Sequence, residues 1–198
     1  MFFLPIAMLV QDAPLPTDTG KAARACAKVF MTAAADKDPG ALRGFAQQIY
    51  LAMAATKADG VTKDFLSSAV TVMTEVIGAE PDPVPSAASC DARFPLARAT
   101  TPARLPENPA DRDILCLGTV SMLAGAANRI AEKGDDTLSK DVMSQMPRFV
   151  QRFEAARKTK NIGDNKDAMT EAMSVSFRAS LDHGNLDTLY QSCKKLPD

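Results

Sequence analysis

The sequence predicts an all-α protein made of two tandem, duplicated bundles of about four helices each, with one disulfide stapling each bundle. Apolar residues recur at helical spacing along most of the chain, and no segment alternates apolar and polar residues between hairpin turns as a strand does. Four cysteines fall as two pairs, and each pair brackets a helical block. A length of 198 residues suffices for one ordinary domain or two small ones.

The chain opens with an uncharged apolar run from Phe2 to Val10. This run is too short to span a bilayer, which needs about 20 residues, but it matches the apolar core of a secretory signal peptide. No Lys or Arg precedes it, and a short hydrophobic arm packed on the domain is the alternative interpretation. We predict a signal-like leader over residues 1–18, with cleavage within residues 1–13 left open. If the leader is a signal peptide, the protein is periplasmic or secreted. If it is not, the protein is cytoplasmic.

The first helical unit is predicted over residues 19–91, with helices near 19–35, 39–57, 62–78 and 84–91. Gly60 suits the left-handed backbone position that follows a helix. Apolar side chains of the third helix share one face, which predicts that they are buried. They are Phe65, Leu66, Ala69, Val70, Met73, Val76 and Ile77.

A proline-rich segment, residues 92–110, is predicted to link the first unit to a second unit over residues 111–198. The second unit has predicted helices near 111–132, 137–160, 165–182 and 185–194. Pro147 lies inside the longest of them and predicts a kink or a break there. Gly163 suits the same left-handed position as the glycine of the first unit.

An internal repeat is the basis for predicting a duplication. The chain reads GVTKDFLSSAVTVM from Gly60 and GDNKDAMTEAMSVS from Gly163. Cys90 and Cys193 follow the lysines of these two segments at the same spacing of 27 residues, and no gap is needed. The second copy carries an insertion near residues 132–145.

One cysteine pair in each unit predicts one disulfide in each unit, Cys26–Cys90 and Cys116–Cys193. Disulfides persist in oxidising compartments, so this pairing agrees with export, and four buried thiols in a cytosolic protein are the alternative. No Cys-x-x-Cys pair is present, so thiol redox catalysis and zinc ribbons have no support.

A basic stretch in the second unit is the candidate partner surface. Its cations are Arg148, Arg152, Arg157, Lys158 and Lys160. An acidic partner or anionic lipid would complement this stretch, and a solvated helix face is the alternative. The formal net charge is −1 and neither half of the chain is strongly basic, so no nucleic-acid partner is expected.

The chain has a single histidine, His183, at a predicted helix end. We interpret it as exposed or as favouring the helix dipole, because the neighbouring Asp182 points away from it on a helix. A catalytic serine at Ser176 or Ser180 would need His183 as its base and Asp182 to orient it. No Gly-x-Ser-x-Gly motif is present. No catalytic residue is therefore predicted.

Two methionine pairs have helical spacing, Met143 with Met146 and Met169 with Met173. Thioether pairs of this kind bind Cu(I), a soft ion, but the same spacing fills an ordinary helix core. The core interpretation is preferred, so no metal site and no cofactor are predicted.

Together these features predict an exported, non-catalytic helical protein that binds a protein partner or a small apolar ligand. The alternatives are a methionine-based copper-handling protein and a carboxylate-dependent hydrolase, because paired carboxylates leave no sequence signature. No transmembrane span is predicted, and the sequence does not determine the oligomeric state.

Overall fold

The computed structural model describes residues 13–35, 41–78, 85–131 and 137–197, and over these residues the chain forms helices and no strand. The all-α prediction is confirmed. The apolar run of the predicted leader lies outside the described residues. The helices are α1 Thr19–Ala35, α2 Ala41–Ala58, α3 Phe65–Gly78, α4 Ala87–Arg93, α5 Pro109–Ala131, α6 Thr137–Thr159, α7 Lys166–Ser180 and α8 Leu186–Lys194.

Short polar side chains begin five of these helices by accepting hydrogen bonds from first-turn N–H groups that have no partner within the helix. Asp18 does so for α1 at 2.8 Å, and Asn108 does so for α5 at 3.1 Å. Ser86, Asn165 and Asn185 do the same for α4, α7 and α8. The chain therefore marks these helix starts locally.

Two helices end in a left-handed residue whose N–H bonds back into the last turn. Gly60 ends α2 with φ of 75°, and the N–H groups of Gly60 and Val61 each donate to a carbonyl of α2 at 3.2 Å. Asn161 ends α6 in the same way with φ of 53°. The prediction for Gly60 is confirmed. The one for Gly163 is wrong, because Asn161 takes this conformation two residues earlier.

Helix α6 continues through Pro147, so the break expected there does not occur. Proline has no N–H, so residue 147 cannot donate the helical hydrogen bond to the carbonyl of Met143. Pro147 is exposed, so solvent can reach this part of the helix.

Both predicted disulfides are present. Cys26 of α1 bonds to Cys90 of α4, and Cys116 of α5 bonds to Cys193 of α8. The bonded residues are 64 and 77 positions apart in sequence. Cross-links that close loops of this length stabilise a fold by about 4 kcal/mol in the chain-entropy account.

The two halves of the chain pack against each other. Helix α1 packs on α2, α3 and α4, and helix α5 packs on α6, α7 and α8. Between the halves, α2 packs on α5 and α8, and α3 packs on α7. Helix α5 is surrounded by α2, α6, α7 and α8, and it is accordingly apolar around most of its circumference. Its buried side chains include Ile114, Leu115, Leu117, Val120, Leu123 and Ala127.

Polar contacts also join the halves. The Tyr50 hydroxyl of α2 donates to the carbonyl of Leu181 at 3.2 Å, and Lys57 pairs with Asp182 at 3.1 Å. Burial, with a smaller contribution from the Asp182 charge, raises the pKa of Tyr50 to about 12. The phenol is therefore a neutral donor at this seam.

The predicted linker, residues 92–110, lies on α8. The buried Asn185 side chain donates to the carbonyls of Leu96 at 3.0 Å, Ala97 at 3.2 Å and Ala99 at 2.9 Å. The two N–H bonds of this amide are shared among three carbonyls of residues 96–99, which fixes this part of the linker to the start of α8.

The two repeated segments do not bury the same positions. In α3 the buried side chains lie at Phe65, Ala69, Val72 and Val76. In the ungapped alignment Ser174 matches Thr71, and Phe177 matches Thr74. Ser174 and Phe177 are buried, whereas both threonines are exposed. The disulfide pairing recurs in both halves but this buried face does not, so the duplication stays a prediction.

Candidate functional site

The basic surface on α6 is largely engaged in contacts within the molecule. It comprises Arg148, Arg152, Arg157, Lys158 and Lys160. Arg157 pairs with Glu154 on the same helix at 2.9 Å, and Lys160 pairs with Asp111 of α5 at 2.9 Å. Lys158 is exposed and has no ion pair within the described residues.

Two arginines of the basic surface hold the C-terminal segment, residues 193–197, against α6. Arg148 donates to the carbonyl oxygen of Leu196, and Arg152 donates to that of Pro197 at 2.7 Å. Hydrogen bonds from an ionised donor are about twice as strong as neutral ones. We therefore expect the segment to be well fixed.

Arg152 also links α6 to α5. Its Nε and Nη2 atoms both lie 3.0 Å from Oδ1 of Asp113. The Arg152 side chain is 19% exposed and the Asp113 side chain 13%. Arg112 is a second, more distant partner of Asp113, with its Nε 3.7 Å from Oδ1. Removing Arg152 would therefore leave Asp113 with only this longer ion pair in a site largely shielded from water.

A shallow depression of about 430 Å³ opens to solvent beside the C-terminal segment. Its lining side chains are Arg148, Gln151, Arg152 and Ala155. The guanidinium groups of Arg148 and Arg152 are already bonded within the molecule, and most of the surface that lines the depression is apolar.

A polar cluster of Asp141, Tyr190 and Lys194 joins α6 to α8. The Tyr190 hydroxyl donates to Oδ2 of Asp141 at 2.8 Å, and Lys194 Nζ lies 2.9 Å from both carboxylate oxygens. Burial, the hydrogen bond to Asp141 and the charge of Asp141 raise the pKa of Tyr190. Desolvation opposes ionisation of Asp141, but hydrogen bonds from Lys194 and Tyr190 together hold its pKa below the ordinary value of 3.8.

His183 is exposed in the turn after α7, and its backbone N–H donates to the carbonyl of Ser180 at 2.8 Å. The neighbouring Asp182 pairs with Lys57, and the Ser180 hydroxyl donates to the carbonyl of Phe177. The side chains of Asp182 and Ser180 are thus engaged elsewhere.

The methionine pairs differ in exposure. Met143 is 50% exposed, whereas Met146, Met169 and Met173 are partly buried and pack against the core. Within the described residues, no three His, Cys, Asp or Glu side chains come together as a metal site would require.

One face of α3 is apolar and exposed. Val70 is 46% exposed and Ile77 is 57% exposed, so the prediction that both are buried is wrong. Helix α3 is apolar over a wider arc than its neighbours cover, and Val70 and Ile77 lie at the uncovered edge. Val175, on the adjoining α7, is 58% exposed. We call the exposed, uncharged side chains of α3 the α3 face: Ser67, Val70, Thr71, Thr74 and Ile77. Glu75 is also exposed.

The hydroxyl groups of the α3 face bond to their own helix. Ser67 donates to the carbonyl of Asp64 at 2.8 Å, Thr71 to that of Ser67 at 3.1 Å, and Thr74 to that of Val70 at 2.9 Å. Each hydroxyl proton is therefore used within the helix, which makes the face less polar than its composition indicates.

Glu75 is the sole charged residue of α3. Charged side chains normally cover the solvent face of a surface helix, so this face is unusual for one that meets water. Large contiguous apolar patches mark sites of interaction with another macromolecule, and the α3 face, with Val70 and Ile77 exposed, is a small candidate for such a site.

Within the described residues, no helix combines the length and the apolar character that crossing a membrane requires. Comparison of the chain with models of protein families, with characterised proteins and with solved structures finds no match.

Proposed function

We propose that this chain is an exported, non-catalytic helical protein that binds a macromolecular partner through the α3 face. The observation that carries the proposal is the exposure of Val70 and Ile77 on a helix face whose hydroxyls are bonded inward. Covering such a face releases water from apolar surface at about 25 cal/mol per Å².

The two disulfides support export. Cys26–Cys90 and Cys116–Cys193 use all four cysteines of the chain. Bonds of this kind persist in the periplasm or outside the cell, where thiols are not kept reduced. The apolar run from Phe2 to Val10 agrees with a secretory signal.

A partner with an extended surface suits the α3 face better than a small apolar ligand does. The exposed side chains span three turns of helix without forming an enclosed cavity, and small ligands favour concave sites. The depression beside α6 is open to solvent rather than enclosed, which does not suit a small apolar ligand.

Site-specific photocrosslinking in the producing cell tests the proposal. A benzophenone amino acid is placed at Thr74 on the α3 face in one variant and at Lys158 on the basic surface in another. Both positions are exposed, so both probes meet solvent. We expect a covalent adduct of defined mass from position 74 and none from position 158.

The second probe is the matched control for surface exposure. An adduct from position 158 alone would show that the partner binds the basic surface and not the α3 face. The absence of an adduct at either position would contradict the proposed function. Fractionation of the same cells locates the protein, and a reduced, cytoplasmic chain would contradict export.

A further inference from the structure

We propose that α4 is a redox-sensitive latch. Its disulfide to α1 is reduced ahead of the other disulfide, because α4 opens locally while the second half of the chain stays folded. The inference goes beyond the proposed function and does not depend on the α3 face. It rests on a contrast between Cys26–Cys90 and Cys116–Cys193 in how firmly α4 and α8 hold the second cysteine of each pair.

Both disulfides are closed to solvent in the folded chain. All four cysteines have an exposed fraction of 0%. Reduction requires a thiolate to attack a disulfide sulfur directly, so one of the two bonded helices must first move away. The rate at which each disulfide is reduced therefore reports the local opening of its helix.

Helix α4 is weakly held. It has seven residues, and Cys90 is the one buried residue among them. It packs mainly on α1. Its polar contacts with neighbouring segments lie at the surface, where Arg93 donates to Thr19 at 2.9 Å and Arg98 pairs with Asp91 at 2.8 Å. Exposed ion pairs add little to stability. Opening α4 therefore breaks few strong contacts apart from the disulfide itself.

Helix α8 is held much more firmly. It packs on both α5 and α2. Its capping residue Asn185 bonds to the linker, and its last turn is tied to Asp141 through Lys194. Opening α8 would break these bonds and uncover a large apolar surface, which opposes exposure of its cysteine. Five of its nine residues are buried: Leu186, Thr188, Leu189, Tyr190 and Cys193.

Reduction of the latch needs a dithiol as the electron donor. When α4 opens, one thiolate of the dithiol attacks Sγ of Cys26 or Cys90, and the S–S bond between them breaks as a mixed disulfide forms. The second thiolate of the donor then displaces the cysteine of the chain from that mixed disulfide. The donor leaves as a disulfide, and the chain gains two electrons and two protons as two thiols.

The opening is confined to α4 and the side of α1 beneath it. Pro85 and Phe94 lie on either side of α4 and are buried, so they fix the two ends of the latch. On α1 the residues one turn from Cys26 include Ala23 and Phe30, and both are buried. The reduced chain therefore presents apolar surface around Cys26 that the oxidised chain covers.

Timed reduction of the oxidised full chain with dithiothreitol under native conditions tests this order. Samples are alkylated, and peptide mapping gives the labelled fraction of each cysteine. We expect Cys26 and Cys90 to become labelled together, at least about tenfold faster than Cys116 and Cys193. In concentrated guanidinium chloride the two rates should converge, because no packing then covers either bond. Equal rates under native conditions, or faster labelling of Cys116 and Cys193, would overturn the inference.

A capping variant tests whether α4 controls the rate. The side chain of Ser86 accepts a hydrogen bond from the N–H of Ser89 at 3.2 Å and so caps α4. Ser86→Ala favours opening of this short helix, and reduction of Cys26–Cys90 should become about fivefold faster. Asn165→Ala is the matched control because it removes the corresponding cap of α7, a helix without cysteine, and it should leave this rate unchanged. No acceleration by Ser86→Ala, or equal acceleration by both variants, would overturn the latch.

Discussion

The basic surface of α6 and the α3 face are both exposed, but they use their side chains in opposite ways. On α6, long cationic side chains reach other parts of the same chain, as Arg152 does with Asp113 and Pro197. On α3, short hydroxyl side chains bond within the helix, while Val70 and Ile77 meet solvent. Charge in a sequence therefore does not mark a binding surface unless its internal partners are known. Changes on α6 should lower stability, and changes on the α3 face should alter association.

The largest effect on stability is expected from the Cys116–Cys193 disulfide, which ties α5 to α8 and so to the C-terminal segment that contacts α6. Replacing Cys116 and Cys193 together by serine frees a 77-residue loop and the helix to which the C-terminal segment belongs. The free energy of unfolding should fall by about 4 kcal/mol, measured by chemical denaturation. The Cys26 and Cys90 double variant is the matched control and should lose a similar amount. A loss below about 1 kcal/mol in the first variant would contradict this account.

A smaller but clear effect is expected at Arg152. Arg152→Ala leaves Asp113, in a largely buried site, with only the longer ion pair to Arg112 at 3.7 Å, so the free energy of unfolding should fall by about 1–2 kcal/mol. Lys158→Ala removes an exposed cation of the same helix and should change stability by less than about 0.5 kcal/mol. Equal effects from both variants would show that the contacts of Arg152 do not matter.

The Asp141 cluster predicts an acid dependence. Its folded-state pKa is lowered, so this carboxylate stabilises the fold above its ordinary pKa of 3.8 and loses that contribution as the pH falls further. Asp141→Asn removes the titrating group, and its stability should decrease less than that of the wild type between about pH 5 and pH 2.5. Parallel curves for the two proteins would exclude a role for this cluster.

The smallest stability effect is expected on the α3 face. Ile77→Ser replaces an exposed side chain, so the free energy of unfolding should change by less than about 0.5 kcal/mol. The same variant should bind the partner more weakly, because the α3 face loses an aliphatic side chain. A loss of stability of about 2 kcal/mol or more, the size of a buried truncation, would show that Ile77 belongs to the core.

Local and periodic features were predictable from the sequence. The helices follow from apolar spacing and from polar residues at their starts, such as Asn165 and Asn185. The cysteine pairing follows from two pairs that bracket two helical blocks. These signals lie within one helix or depend on residue type alone, so they require no knowledge of which helices meet.

Contacts between distant elements were not predictable. Asp141, Tyr190 and Lys194 form one cluster although 49 residues separate the first two, and none of their neighbours in sequence indicates it. The exposure of Val70 was missed because apolar spacing shows that a face exists but not how much of it other helices cover. The ion pair of Arg152 with Asp113 was not predictable either, because the sequence does not show that these two residues lie opposite each other.

Hydroxyl-radical footprinting tests the central claim most directly, because it reports the coverage of each exposed apolar side chain in the intact, oxidised protein. Labelling is compared between the purified protein and the extracytoplasmic fraction of the producing cell. We predict that labelling of Val70 and Ile77 falls when the partner is present, while that of Met143 and Val150 on α6 stays constant. Unchanged labelling of Ile77 together with protection of α6 would contradict the account.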